Sequence, residues 1–404
     1  MDKNQLANIQ PVLDDFVAKN QVSGLNLLIY KDNNELGYWQ SGLRDIENNT
    51  AYDRNTIVRL FSMSKPVTAA AAMILVEEGK IDLAEPVSTY LPEFGSLKVC
   101  TDKGRKGTPR PAYTQLLVKD LLNMTGGYTY GAWNEDCPLG EHLTSDLIAE
   151  LNNDVACDNK ISTREVAKRL SQIPLSFDPG TDYSYGLCAD ILGAVIEVAS
   201  GMKFGDFLKK CIFDPLGMND TAFYVPEDKQ NRLAKAYRSV YDEATSSRHL
   251  EFFPHCNLGI QNTMKLNPAF ESGGAGICST ADDYMRFALM MTNCGTLDGK
   301  QILHPNTVRH LTEARLMPDL QKRFDMKMPH LAGYTYCNLL RVAANPGSCN
   351  IITEQGEFGW DGWLGPYVSM DIKNHLTIVM TMQRCDSGTT TAARSVHNIL
   401  YSSI

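Results

Sequence analysis

Strand-like segments stand at the two ends of this 404-residue chain, while most of the sequence between them has helical texture. Gly24 opens LNLLIYKDNNELGYWQSG, two strand-like runs around a polar Lys31-Asp32-Asn33-Asn34 turn, which is the pattern of a β-hairpin. Near the other end LGPYVSMDI and HLTIVMTMQ form a second pair of β-branched or apolar runs divided by Lys373-Asn374. A sheet assembled from both termini, with a large helical insertion beside it, is the simplest arrangement that pairs the early hairpin with the late one. The expected architecture is therefore a mixed α/β domain from residues 1–90 and 330–404, with a mostly helical domain from 91–329 and any active site at their junction.

Helical spacing of Leu6, Ile9, Leu13, Phe16 and Val17 predicts a helix over 3–18, and a helix-like TTAARSVHNILYS closes the chain. Between them an Ala-rich run from Pro66 to Glu78 stops at Gly79-Lys80. Further helices are predicted at 115–124, 162–171, 186–199, 204–211 and 280–292, joined by Pro- and Gly-rich loops. No fixed-period repeat or long linker separates independent domains, so the two lobes must be interleaved.

With 43% hydrophobic and 21% charged residues the chain is that of a folded globular protein, which excludes disorder and fibre. A net charge of −9 offers no general attraction for phosphate backbones or anionic lipid, so nucleic acid is not an expected partner. The longest apolar stretch, Val67–Val76, falls far short of the roughly 18 residues that cross a bilayer. The N-terminus carries charges and amides where an export signal would be apolar, so a soluble, cytoplasmic protein is expected, with no membrane partner. The 11 cysteines are scattered without a C-x-x-C pair and read as reduced thiols; His255 beside Cys256 is the nearest approach to a ligand cluster, and no metal or cofactor is expected.

The sequence has no G-x-S-x-G elbow, no phosphate loop and no dinucleotide fingerprint. It does have S-x-x-K at Ser62-Met63-Ser64-Lys65, although 23 Ser and 21 Lys supply about one such match by chance. Ser200-Gly201-Met202-Lys203 is the decoy, and helix polarity separates the two. Ser62 precedes a long apolar helix, where the dipole and free N–H groups favour an oxyanion; Ser200 follows the end of one, where the field has the wrong sign. Lys65 falls three residues on, close to Ser62 on the helix surface, within apolar surroundings that lower an amine pKa toward a useful base.

The S-x-x-K motif, GKIDLAEPVSTYLPEF (79–94), LLNMTGG (121–127), FDPGTDYSYGLCADILGAVIEVASG (177–201), FDPLGM (213–218), ESGGAGICSTADDYMRF (271–287) and GEFGWDGWLGPYVSMDIKN (356–374) together resemble the serine β-lactamase and penicillin-binding protein superfamily over about residues 20–400. Within it the likeness is greatest to class C β-lactamase-like carboxylesterases. The resemblance implies a nucleophilic Ser62, a basic Lys65 and a phenol, placed at Tyr183, that stays partly ionised beside the lysine and relays protons. It also implies that Tyr185 stands where class C lactamases have asparagine, and that Trp360-Asp361-Gly362 replaces their K-T-G, making Tyr185, Trp360, Asp361 and Gly362 substrate-binding positions. The backbone N–H groups of Ser62 and Trp363 would form the oxyanion hole.

Loss of the K-T-G lysine removes a contact to a substrate carboxylate, which favours small neutral esters over penicillins. The implied activity is a carboxylesterase acting through an acyl-enzyme on a small-molecule ester or amide; a β-lactamase or D-amino-acid-specific peptidase and a catalytically silent binding protein are the alternatives. Tyr128, Tyr130, Trp133, Trp360 and Trp363 are candidates to line an acyl or alcohol pocket, and Gly273-Gly274 is expected to form a tight turn without a catalytic role.

Overall fold

The early hairpin forms β1 (Gly24–Lys31) and β2 (Asn34–Asp45), in a computed structural model that describes residues 3–132, 134 and 136–404. Asp32 and Asn33 make its turn at φ +52° and +62°, which short polar side chains tolerate. A short β3 (Thr50–Ala51) follows. The C-terminal region supplies β4 (Tyr334–Cys337), β5 (Leu340–Ala343), β6 (Phe358–Asp361), β7 (Tyr367–Asp371) and β8 (Leu376–Met382). They join one antiparallel 8-stranded sheet in the order β4-β5-β6-β7-β8-β1-β2-β3. The two ends of the chain meet at β1 and β8, with Leu25 opposite Met382 and Lys31 opposite Leu376.

The helices that frame the sheet and the site are α1 (Ile9–Ala18), α2 (Lys65–Glu77), α3 (Leu139–Cys157), α4 (Cys188–Ser200), α5 (Ala281–Thr292), α6 (Pro318–Lys327) and α7 (Thr391–Tyr401). Thr280 and Thr390 cap α5 and α7 by accepting the N–H groups of Asp283 and Ala393. α1 and α7 cover the outer face of the sheet. There Ile9, Leu13, Phe16, Val396 and Leu400 pack on Leu25, Leu27, Ile29, Ile378 and Met380. The intervening side chains Leu28 and Val379 point the other way and join the core that contains α2. Because both faces are covered, all of β8 is buried, and each large aliphatic side chain withdrawn from water contributes about 1.5–3 kcal/mol.

One part of the expected domain division differs. α5 falls within the 91–329 stretch, yet it packs against β1, β7 and β8, and the Thr292 hydroxyl meets that of Thr377 on β8 at 2.9 Å. The same stretch also holds an antiparallel hairpin, Tyr237–Asp242 with Ser247–Phe252. α2 lies against both α4 and β6 and is buried from Lys65 to Leu75, as expected of a helix that is apolar on every side. It is the seam between sheet and helices, and the nucleophile sits at its start. Among the described residues no helix is long and apolar enough to cross a membrane.

Candidate active site

A 3-10 turn, Phe61–Ser64, leads directly into α2. Phe61 takes φ +45°, a strained conformation for a bulky side chain, and its ring rests against that of Trp363 with centroids 5.0 Å apart. This bend sets Ser62 at the positive end of the helix, beside N–H groups that have no acceptor within it. Lys65 Nζ is 3.1 Å from Ser62 Oγ and donates also to Tyr130 Oη and to the carbonyl of Gly274, each at 2.9 Å. Lys65 is fully buried, and that burial pushes its ammonium down to about 8, against the opposing pull of Asp190 and Asp361.

The Gly274 carbonyl is held by a buried support. Asp190, in the first turn of α4, accepts the Ser272 hydroxyl and the Gly274 N–H, while Thr68 on α2 donates to Gly273 O at 2.6 Å. A Cβ on Gly273 would stand 2.3 Å from Ala189 O, so the turn needs glycine there. The turn at Gly273-Gly274, expected only as a scaffold, thus presents one of the groups that holds Lys65.

The two tyrosines of the second motif exchange places relative to the expectation. Tyr183 is a core residue. Its ring packs edge-on to Phe324 of α6 at 5.1 Å and Tyr336 at 5.5 Å, and its buried hydroxyl has no hydrogen-bond partner among the described residues. Tyr185, two residues on along an irregular segment, reaches the site instead. Its hydroxyl lies within hydrogen-bonding reach of Ser62, its ring centroid is 4.7 Å from Lys65 Nζ, and its oxygen accepts the Trp360 indole N–H at 2.9 Å. Burial raises the Tyr185 phenol above its ordinary range, so it is a protonated group rather than a partly ionised one. The residue two positions after it is Leu187, which is buried, so no asparagine follows the phenol.

Tyr130 provides a second phenol. It is half-buried, its ring meets that of Tyr185 edge-on at 5.6 Å, and burial raises its phenol well above the ordinary range, with the nearby Ser62 hydroxyl opposing that shift. Sequence reasoning placed Tyr130 only among possible pocket aromatics and gave no role to Asp190. Neither lies in the S-x-x-K segment, and only the fold brings them to it. Tyr128 is buried in the core, and Trp133 lies outside the described residues.

In the third motif the side chains face partners within the protein. Trp360 is buried at the edge of Tyr336 and holds Tyr185. The Asp361 carboxylate accepts the Thr389 hydroxyl. A Cβ on Gly362 would stand 2.1 Å from Leu60 O, so this glycine admits the backbone of the nucleophile segment, not a substrate. The next residue, Trp363, lies in a turn closed by Gly365 N–H donating to Gly362 O, and its indole donates to Asp386 at 2.9 Å. The strand end that carries the second candidate oxyanion donor is therefore in backbone contact with the segment that carries the first. Among the described residues no group of three or more His, Cys, Asp or Glu side chains is placed to hold a metal.

A serine at a helix start, touched by a buried lysine and by phenols, on an antiparallel sheet with a helical insertion, defines a serine hydrolase of the penicillin-binding type. The chain belongs to the Beta-lactamase family, which it matches over residues 9–400. It is 30% identical to Protein Rv1367c of Mycobacterium tuberculosis, over 98% of this chain and 93% of that one. It is 29% identical to Esterase EstB of Burkholderia gladioli, over 69% of this chain and 68% of the esterase. The fold is similar to that of simvastatin synthase (LovD) from Aspergillus terreus, with a TM-score of 0.79 at 20% identity over 100% of this chain and 99% of that one.

Proposed function

We propose that this hydrolase is a carboxylesterase that works on small neutral esters through an acyl-enzyme on Ser62. The observation that carries the reading is the 3.1 Å contact between Ser62 Oγ and a fully buried Lys65 whose pKa is pushed down to about 8. A lysine so placed is neutral in a usable fraction of molecules near neutral pH and accepts the serine proton.

Ser62 Oγ then attacks the ester carbonyl, and the backbone N–H groups of Ser62 and Trp363 receive the oxyanion, a donor of this kind being worth about 10²- to 10³-fold in rate. As the ester C–O bond breaks, Tyr185 gives its proton to the departing alkoxide and is reprotonated from Lys65. Water attacks the acyl-serine with the same groups acting in reverse, and the acid leaves. Tyr185 here takes the part first assigned to Tyr183.

Neutral substrates are favoured by the third motif. With Trp360 in place of lysine and Asp361 beside it, a penicillin carboxylate or peptide C-terminus forgoes a charge-assisted hydrogen bond of about 1.5–3 kcal/mol. The esterase among the relatives supports the same choice.

The test sets p-nitrophenyl acetate and butyrate beside nitrocefin and a D-alanyl amide, with wild type and Ser62→Ala. Ester turnover should exceed the others and vanish in the variant. Preference for nitrocefin or the amide would make the protein a lactamase or peptidase, and no Ser62-dependent turnover or fluorophosphonate labelling would make it a silent binding protein.

A further inference from the structure

Indole nitrogen carries a hydrogen and no available lone pair, so its hydrogen bonds run in one direction only. Trp360 Nε1 lies 2.9 Å from Tyr185 Oη, and Trp360 is therefore the donor and Tyr185 the acceptor. With that direction settled, the phenol's own hydrogen must point elsewhere. The hydroxyl within its reach is Ser62, the atom from which the acyl transfer starts.

The indole is not free to turn away. It is buried, its ring meets Tyr336 edge-on at 4.8 Å, and Tyr336 in turn meets the Tyr185 ring at 6.2 Å. Tyr336 is itself clamped by Tyr183 and by Phe324 of α6. The Tyr183 cluster thus acts as the wall that sets the angle of Trp360.

We propose that Trp360 is a positioning residue for the proton-transfer step: its N–H fixes the Tyr185 hydrogen toward the reacting atoms and holds the negative charge that appears on the phenol oxygen when that hydrogen leaves. In that step the Tyr185 O–H bond breaks, a new O–H bond forms on the departing alkoxide, and the phenolate keeps the indole hydrogen bond until Lys65 returns a proton. A neutral donor suits this task in an esterase. It stabilises the transient phenolate without the fixed positive charge that would recruit anionic substrates.

This inference rests on the acyl-enzyme reading, and its test exploits leaving-group chemistry. An alkyl ester such as ethyl butyrate needs a proton on its leaving oxygen, whereas p-nitrophenolate departs without one. Trp360→Phe should lower kcat/KM on ethyl butyrate by about 10- to 100-fold and on p-nitrophenyl butyrate by less than about threefold, and Trp360→His, which keeps an N–H, should recover much of the alkyl-ester rate. Turnover of the p-nitrophenyl ester shows that each variant is folded. Equal losses on the two esters in Trp360→Phe would overturn the inference. If that variant does not accumulate, Trp360→Leu replaces it, and equal losses on the two esters there overturn the inference likewise. A wild type without Ser62-dependent turnover removes the acyl-enzyme reading and this inference with it; Ser62-dependent turnover without the leaving-group bias removes this inference alone.

Discussion

The ammonium nitrogen of Lys65 stands 2.9 Å from the carbonyl oxygen of Gly274, a group that only accepts hydrogen bonds. One N–H of Lys65 is therefore committed to that carbonyl in either protonation state, and the lone pair of the neutral amine is left for a hydroxyl. Ser62 at 3.1 Å and Tyr130 at 2.9 Å are the hydroxyls that Lys65 bonds directly in the resting site.

Activity should follow the loss of the lysine proton. The log of kcat/KM for a neutral ester is expected to rise as pH approaches about 8 and to level off above it, since burial lowers Lys65 to about that value. A profile already flat from pH 6 upward would rule out Lys65 as the base.

Asp190 favours the charged form of Lys65 and also anchors Gly274. Asp190→Asn keeps an acceptor for the Gly274 N–H but removes the negative charge, so Lys65 should lose its proton more readily. The acid limb of the same pH profile is expected to move to lower pH; movement to higher pH would contradict this placement of Asp190.

The tyrosines should separate cleanly. Tyr185→Phe is expected to cost about 10²- to 10⁴-fold in kcat on alkyl esters. Tyr183→Phe removes a buried hydroxyl without a described partner and should leave turnover within about twofold, with stability unchanged or up by about 1 kcal/mol. Steady-state kinetics and urea unfolding of the pair decide it, and the reverse ranking would restore Tyr183 to the site.

The Ser–Lys pair was legible because its chemistry is local: S-x-x-K at the mouth of an apolar helix places both groups within a single turn. The terminal strands were legible because β7 and β8 are short runs rich in β-branched and apolar residues, buried at every position. Tyr183 and Tyr185 could not be told apart in this way, because they sit in an irregular segment where backbone direction, set by long-range packing on Phe324 and Tyr336, decides which phenol faces Ser62. Helix α3 was missed for a different reason. Its buried positions include His142, Thr144 and Ser145, so it shows no clean apolar stripe. β4 and β5 are too short for a firm period-2 signal, and Asp190 and Tyr130 become partners of Lys65 only through the fold.

Lys65 also links stability to pH. Its pKa is lower in the folded protein, at about 8, than in the unfolded chain, where it is near 10.4. Between those values the unfolded chain holds a proton that the native state has shed, so the contribution of this residue to stability increases with pH across that window. Relative to Lys65→Met, wild type should gain on the order of 2–3 kcal/mol between pH 7.5 and pH 10.5. Thermal unfolding of both proteins across that range measures the difference, and a constant gap would refute it.

A methyl group at position 362 has nowhere to go, with Leu60 O at 2.1 Å. Gly362→Ala should destabilise the fold by about 1–3 kcal/mol and depress turnover further by separating Trp363 from Ser62. Full activity in this variant would show that the two segments need not touch.

The pairing of β1 with β8 has a consequence for how the protein comes into being. Residues 25–31 wait for residues 376–382 as their partners within the sheet, and the turn carrying Trp363 joins β6 to β7, the strand that pairs with the other edge of β8. A growing chain on the ribosome carries Ser62, Lys65 and Tyr185 long before it has the strand that seats them. Hydrolytic competence therefore waits on the synthesis of β8, and a chain clipped ahead of β8 leaves β1 without its partner.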